Sequence, residues 1–445
     1  MLRVWTAIGA VLLLIISWTC IRSLEPHQEN GLLPIDPPTP FYKLTPTNSQ
    51  RGRVLVVHGL SASKDFMHLF AAALADGGFE VYAIDLPGHG DSSAGFTADR
   101  ARSVIAQSLD RLGHMDVVVG HSLGAGLLLD LATERNLKRM VLLSPPPTPI
   151  GTIDLSHSLV VTGDWDIPAI RAFVSKLEGA ERWLLPWTAH SSVVFNASQT
   201  RDIIRWMGGD TDAVRASSRI GWSVTLLVAA IILGVCLLPG RPESNSGPTL
   251  STTDMCARLV LAATAGAIIS RFFVVFEWLR LFATDYLLSG FFIIGMLVRP
   301  RMPSKTPRGV LISILAAGYV IVVVGLLAGS RFINFSLSDG RWLRFPIIAL
   351  AGFPLFLFDQ TKLKRSVMTG VLSRALIGAS ILTGALILNR EAGFLVVIMH
   401  LVVLFWIALW FMTEVVRRHT GDPTAAAVFA SLVQGWMFAA WFVTT

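Results

Sequence analysis

Five consecutive residues, Gly120-His121-Ser122-Leu123-Gly124, have the types and the spacing that prepare a serine for nucleophilic attack. A serine on a sharp strand-to-helix turn exposes its hydroxyl, and small residues on both sides let the strand and the helix approach closely. The helix that follows adds a favourable dipole, and the backbone N–H of Leu123 is placed to bind an oxyanion. The pattern favours acyl transfer through a covalent intermediate on Ser122, over the plainer interpretation of a tight turn without chemistry.

The segments around this turn alternate between strand-like and helix-like patterns. Apolar strands are predicted at 53–59, 80–85, 115–120, 139–144, 158–162 and 182–185. Helical periodicity fills the segments between and after them, at 64–78, 97–112, 123–136, 167–177 and 191–207. Apolar strands that alternate with helices predict a parallel sheet covered on both faces, and the serine turn lies where the third strand ends.

Three segments, in this order along the chain, resemble the α/β-hydrolase family. They are Val57-His58-Gly59 after the first strand, Asp85-Leu86-Pro87-Gly88-His89-Gly90-Asp91-Ser92 after the second, and the serine turn. The resemblance covers roughly residues 41–208. It implies a doubly wound, mainly parallel sheet and a serine nucleophile that is followed along the chain by an acid and then a histidine.

Carried onto this sequence, the resemblance assigns the general base to His190, which lies in the loop after the last predicted strand. The loop after the preceding strand offers two carboxylates. Family members usually place the acid a few residues beyond the glycine of this loop, which favours Asp166 and leaves Asp164 as the alternative acid. The family also supplies a second oxyanion donor after the first strand, which is here the backbone N–H of Leu60, beside that of Leu123.

Many relatives insert a cap between the strands predicted at 139–144 and 158–162. Here that connection is only residues 145–157, so the sequence predicts an α/β hydrolase without a large cap. We detect no cofactor motif and no metal-ligand cluster, and therefore expect neither a cofactor nor a metal.

The chain as a whole is unusually apolar, and long apolar runs are concentrated in its C-terminal half. The 445 residues are 53% hydrophobic and only 15% charged, with a mean hydropathy of +0.59, which excludes an ordinary soluble protein and a disordered one. Eight apolar runs have the length of a membrane span, at 220–238, 259–276, 281–298, 309–328, 342–358, 367–388, 394–413 and 424–443. The sequence thus predicts an all-α transmembrane domain of about eight helices over 219–445, after a hydrolase domain at 41–212 and a linker at 21–40.

A further apolar run at 4–18 follows Arg3. Its flank has no clear small-residue cleavage site, so we interpret residues 1–20 as an uncleaved membrane anchor, with a signal peptide as the alternative.

The charge of the chain is unevenly distributed. The net charge of +7 divides into −4 for residues 21–218, with 17 Lys and Arg against 21 Asp and Glu, and +11 for the rest. With a cytoplasmic N-terminus, 12 basic loop residues fall on the cytoplasmic side and 5 on the other. Because positively charged loops are usually cytoplasmic, this distribution predicts an extracytoplasmic hydrolase domain. The basic excess lies outside that domain, mostly in loops between predicted spans, which argues against a nucleic-acid partner.

These features together predict a multi-pass membrane serine hydrolase that cleaves an ester, in particular a lipid or lipid-linked ester, with the lipid bilayer as its surroundings. Two alternatives stay open at this point. One is an acyltransferase that uses the same three residues, and the other is a transport or scaffold protein with a hydrolase-like accessory domain.

Overall fold

The computed structural model describes residues 2–46, 48–149, 151, 153–239, 250–282, 284–298, 306–325, 337, 340–363, 366–388 and 395–445. The chain divides into two compact units. The first, which we call the sheet unit, contains the described residues of 11–229, residue 337 and residues 443–445. The second, the helical unit, contains the described residues of 2–10, 230–325 and 340–442.

Eight strands of the described residues form one sheet in the sheet unit. They are β1 (His27–Leu33), β2 (Thr39–Thr45), β3 (Gly52–Val57), β4 (Phe79–Ile84), β5 (Val117–His121), β6 (Met140–Leu143), β7 (Leu159–Gly163) and β8 (Glu181–Leu185), in the order β1-β2-β4-β3-β5-β6-β7-β8. The six strands from β3 to β8 are parallel to one another, and β2 is antiparallel to both β1 and β4. The predicted, mainly parallel α/β sheet is therefore confirmed.

Helices of ordinary length connect these strands or follow the last of them. They are α2 (His68–Asp76), α3 (Ala98–Leu112), α4 (Leu123–Ala132), α5 (Pro168–Val174) and α6 (Ala197–Met207). The central strands are rich in Val and Leu, and every residue of β5 and β6 is buried. A parallel sheet covered on both faces needs such strands, because neither face meets water.

The sheet begins earlier in the chain than the sequence predicts. Residues 21–40 are predicted to be a linker, but they contain β1. Six of the seven residues of β1 are exposed, so this edge strand shows no alternation of apolar and polar residues by which it could be recognised. The N-terminal helix α1 (Leu2–Leu24) also extends past the predicted anchor at 1–20, which leaves two residues between α1 and β1.

Long apolar helices account for most of the remaining chain. By length and composition, seven helices of the described residues suit a membrane: α1, and six that coincide with six of the eight predicted spans. These six are α7 (Ala216–Leu237), α8 (Thr252–Phe272), α11 (Arg341–Lys362), α12 (Val367–Ile387), α13 (Leu395–Thr420) and α14 (Pro423–Trp441).

The two other predicted spans contain shorter helices, α9 (Thr284–Leu297) and α10 (Pro307–Tyr319). A π-helical turn continues α10 over Val320–Val324. The end of the span predicted at 309–328 and the first residue of that at 394–413 lie outside the described residues. So do many of the basic loop residues used for orientation, at 241, 299, 301, 305, 331, 364, 365 and 390.

A buried ion pair holds the two ends of the sheet unit together. Arg219 in α7 binds Asp76 at the end of α2 with two nitrogens, Nη1 to Oδ2 at 2.6 Å and Nη2 to Oδ1 at 2.8 Å. Its Nε also donates to the carbonyl oxygen of Leu24, the last residue of α1, at 3.0 Å. Both charged side chains are fully buried. The guanidinium of Arg219 therefore connects α1 and α7, which precede and follow the sheet in the chain, to α2.

Replacing Asp76 by alanine is expected to destabilise the sheet unit by about 3–5 kcal/mol, because it leaves the Arg219 charge buried without its carboxylate. Unfolding of the purified chain in detergent, followed by temperature or denaturant, measures the change. Asp110→Ala is the matched control, since its pair with Arg135 is exposed and such pairs are worth about 1 kcal/mol or less. Equal effects of the two variants would contradict a structural role for the buried pair.

Candidate active site

Ser122 lies on the turn between β5 and α4, as the sequence predicts. Its backbone angles, φ 49° and ψ −118°, are outside the regions that residues with a side chain prefer. A Cβ on Gly120 would lie 2.6 Å from the backbone of Ala125, and one on Gly124 would lie 2.6 Å from the Val57 carbonyl oxygen. The two glycines thus allow the strand and the helix to approach closely enough for this sharp turn.

The structure brings Ser122, His190 and Asp166 together in one chain of hydrogen bonds. His190 Nε2 lies 2.9 Å from Ser122 Oγ, and His190 Nδ1 lies 2.8 Å from Asp166 Oδ1. A carboxylate oxygen can only accept, so Nδ1 carries the imidazole proton and the Nε2 lone pair faces the serine hydroxyl. This is the tautomer that a general base for Ser122 requires.

Asp166 is held in place by further contacts. Its Oδ1 also accepts from the Ile167 N–H at 2.7 Å, and its Oδ2 accepts from Thr162 Oγ at 3.0 Å. Burial raises the pKa of this carboxyl, but the hydrogen bond and the charge of His190 outweigh it, and the pKa lies below its ordinary value. Asp166 is therefore ionised at neutral pH and can stabilise an imidazolium on His190.

The alternative acid, Asp164, has a different set of contacts. Its Oδ1 accepts from the backbone N–H of Thr188 at 3.1 Å, and its own N–H donates to the Leu185 carbonyl at 2.9 Å. Asp164 thus joins the loop after β7 to the loop that carries His190. The structure places Asp166, and not Asp164, against the imidazole.

The two backbone groups predicted to bind an oxyanion flank the serine turn. Leu123 is the first residue of α4, directly after Ser122. On the other side, a Cβ on Gly59 would lie 3.0 Å from Ser122 Cβ, so the segment that leads into Leu60 contacts the nucleophile.

His58 orients the peptide between Gly59 and Leu60. Its Nε2 accepts from the Leu86 N–H at 3.0 Å, so its Nδ1 carries the proton and donates to the Gly59 carbonyl at 2.7 Å. In a trans peptide the N–H points away from the carbonyl, so the Leu60 N–H points away from His58. The oxyanion role of Leu60 and Leu123 stays a prediction.

Two buried groups near the site were not predicted from sequence. His121 Nε2 lies 3.2 Å from the His190 carbonyl oxygen and must donate to it, since a carbonyl only accepts. Burial and the neighbouring His190 lower the pKa of His121 to about 3, so His121 stays neutral while it holds the backbone of the base. The sequence feature that could have indicated His121 is its position directly before Ser122 in the serine turn.

The other group is Lys64, whose Nζ contacts both Asp85 Oδ2 and Asp91 Oδ2 at 2.6 Å. Its backbone N–H donates to Asp85 Oδ1 at 2.8 Å. These contacts fix the loop after β3 against the loop after β4. No sequence signal marks this lysine, because its partners lie more than 20 residues away.

The described part of the connection between β6 and β7, residues 144–149, 151 and 153–158, contains no helix or strand. Within the described residues, no group of three or more His, Cys, Asp or Glu side chains could hold a metal ion.

Comparisons with known proteins place this geometry in a family. The alpha/beta hydrolase family model matches residues 54–276, half of the chain. The chain is 29% identical to the lipase LipV of Mycobacterium tuberculosis over 220 residues, which cover 48% of this chain and 76% of the lipase. It is also 29% identical to the sn-1-specific diacylglycerol lipase of Mus musculus over 244 residues, 52% of this chain and 74% of that protein.

Other matches cover less. The chain spans only 26% and 30% of the length of two further curated relatives, to which it is 37% and 34% identical. Among solved structures, dienelactone hydrolase from Anabaena variabilis is 18% identical with a TM-score of 0.34, over 41% of this chain and 98% of that one. By the family match, this chain belongs to the alpha/beta hydrolase family.

Proposed function

We propose that this protein is a membrane serine hydrolase that cleaves a carboxylic ester through an acyl-enzyme on Ser122. The observation that carries the proposal is the hydrogen-bonded chain from Ser122 Oγ through His190 to Asp166. It supplies a nucleophile, a base with the required tautomer and a carboxylate that orients the base.

The reaction follows from these positions. His190 Nε2 takes the proton of Ser122 Oγ as the oxygen attacks the ester carbonyl carbon, and the N–H groups of Leu60 and Leu123 bind the resulting oxyanion. When the tetrahedral intermediate collapses, the bond to the alcohol oxygen breaks and His190 returns its proton to the leaving alkoxide. Water then attacks the acyl-enzyme with His190 again as base, and the carboxylic acid leaves with Ser122 restored.

The substrate class we propose is a lipid or lipid-linked ester. Among the described residues, seven helices suit a membrane by length and composition, which favours a multi-pass membrane protein whose surroundings are rich in lipid esters. The relatives named above include a lipase and a diacylglycerol lipase.

The excess of basic residues in the loops on one side of the membrane supports an extracytoplasmic location of the sheet unit.

A fluorophosphonate probe tests the proposal on the full chain in membranes. We expect covalent labelling at Ser122, seen by mass spectrometry of the labelled peptide, and no labelling of Ser122→Ala. An unlabelled wild-type chain would favour a binding or scaffold role for the sheet unit. Product analysis with a radiolabelled diacylglycerol then separates hydrolysis from acyl transfer, since hydrolysis yields the free fatty acid and transfer yields a new ester.

A further inference from the structure

Two large apolar side chains are exposed on the loops that carry the acid and the base. Trp165 is 62% exposed and Trp187 is 78% exposed. Their rings contact each other edge to face, with centroids 5.3 Å apart. Adjacent exposed tryptophans present an apolar surface to the surroundings, and such surfaces mark sites of interaction.

The pair lies beside the proposed active site because the two loops are joined to each other. Trp165 directly precedes Asp166, and Trp187 lies three residues before His190. The backbone N–H of Trp165 donates to the Thr188 carbonyl at 3.1 Å, in addition to the bond from Thr188 to Asp164. The rings therefore stand on the same rigid pair of loops that holds the acid and the base.

The backbone conformation at Trp187 is unfavourable for a residue with a large side chain. Its φ is 54°, in the left-handed region that favours glycine. The chain carries a large aromatic side chain where a glycine would be relaxed, and the joined loops maintain this conformation.

We infer that Trp165 and Trp187 form an aromatic platform that binds the apolar chain of the ester while Ser122 attacks its carbonyl. The inference rests on the proposed function and deepens it, since it makes chain length a determinant of specificity. The described part of the β6–β7 connection has no helix that could act as a lid over an apolar chain, and the platform supplies apolar surface beside the site. Flat ring faces suit a flexible alkyl chain, because they offer contact area without a fixed length.

The test compares kcat/KM for short and long esters in the full-length protein, in detergent, with substrates kept monomeric. One series lengthens the acyl side of p-nitrophenyl esters, from acetate to decanoate, and a second lengthens the alcohol side of acetate esters. In Trp165→Ala/Trp187→Ala we expect kcat/KM for the long member of at least one series to fall by about tenfold or more. That is the change expected when about two methylene groups lose their burial. The shortest ester should change by less than about twofold.

Two variants serve as controls. Trp165→Phe/Trp187→Phe keeps the aromatic faces and should retain most of the preference for long chains. Trp206→Ala removes a tryptophan that packs on Arg139 and binds Glu181 at the amino end of β8, so it should not change the ratio of long to short esters.

The platform is overturned if the alanine pair lowers the rates of short and long esters equally, or changes neither. It is also overturned if the loss appears only with substrates in vesicles, because the tryptophans would then contact the bilayer and not the substrate. Fluorophosphonate labelling of the same samples separates the two proposals. Labelling at Ser122 with unchanged selectivity rejects the platform alone, whereas absent labelling rejects both.

Discussion

Replacing Ser122 by alanine is expected to lower kcat by about a millionfold, the loss seen when a serine nucleophile of this kind is removed. The hydroxyl is the group that forms the acyl-enzyme, and the His190–Asp166 hydrogen bond does not depend on it. The variant should fold normally, because alanine keeps the Cβ and removes only the partner of His190 Nε2.

Steady-state hydrolysis of a p-nitrophenyl ester by the purified full chain measures the loss. Ser103→Ala, on the exposed surface of α3, is the matched control and should keep full activity. A Ser122→Ala protein that retained more than about one part in a thousand of the activity would mean that another group is the nucleophile, since the remaining site contributes far less.

The second large effect concerns the two carboxylates of the loop after β7. Asp166→Asn is expected to lower kcat by about 10⁴-fold, whereas Asp164→Asn should cost no more than about tenfold. An asparagine at 166 can donate its amide N–H to His190 Nδ1, which would shift the imidazole proton to Nε2 and leave no lone pair for Ser122. An asparagine at 164 still offers an oxygen to the Thr188 N–H.

The same assay gives both values, and fluorophosphonate labelling rates report the nucleophilicity of Ser122 directly. A larger loss in Asp164→Asn than in Asp166→Asn would reverse the assignment. A loss in Asp164→Ala that Asp164→Asn does not share would instead show that the loop contact matters for positioning His190, because alanine removes the acceptor for the Thr188 N–H and asparagine keeps it.

The elements that could be predicted from the sequence are those whose residues are buried on all sides. The valine- and leucine-rich strands β5 and β6 could be predicted because every residue in them is buried. The edge strand β1 could not, since its exposed residues give the pattern of a polar linker. The span predicted at 281–298 is longer than α9, which begins at Thr284 and ends at Leu297, because hydropathy alone does not indicate where a helix begins or ends.

The candidate site shows the same division. Spacing and family resemblance indicated Ser122, His190 and Asp166, which the structure brings within hydrogen-bonding distance. The spacing usual in the family favoured Asp166 but left Asp164 as an alternative, because both lie in one loop and the direction of each side chain decides the partner. Contacts that join distant segments, such as Lys64 with Asp85, depend on the folded sheet and leave no local pattern.

The ion pair between Arg219 and Asp76 has a consequence for how the chain is assembled. Because the same guanidinium binds the last carbonyl of α1, the segment 25–218, which contains the whole sheet, begins and ends at neighbouring points. Segments whose ends meet tolerate transfer between proteins and circular permutation. A domain moved in this way would need the first turn of α7 as well as its own sheet, since the buried Asp76 would otherwise keep only the partly exposed Arg215, at 3.3 Å, as its counter-charge.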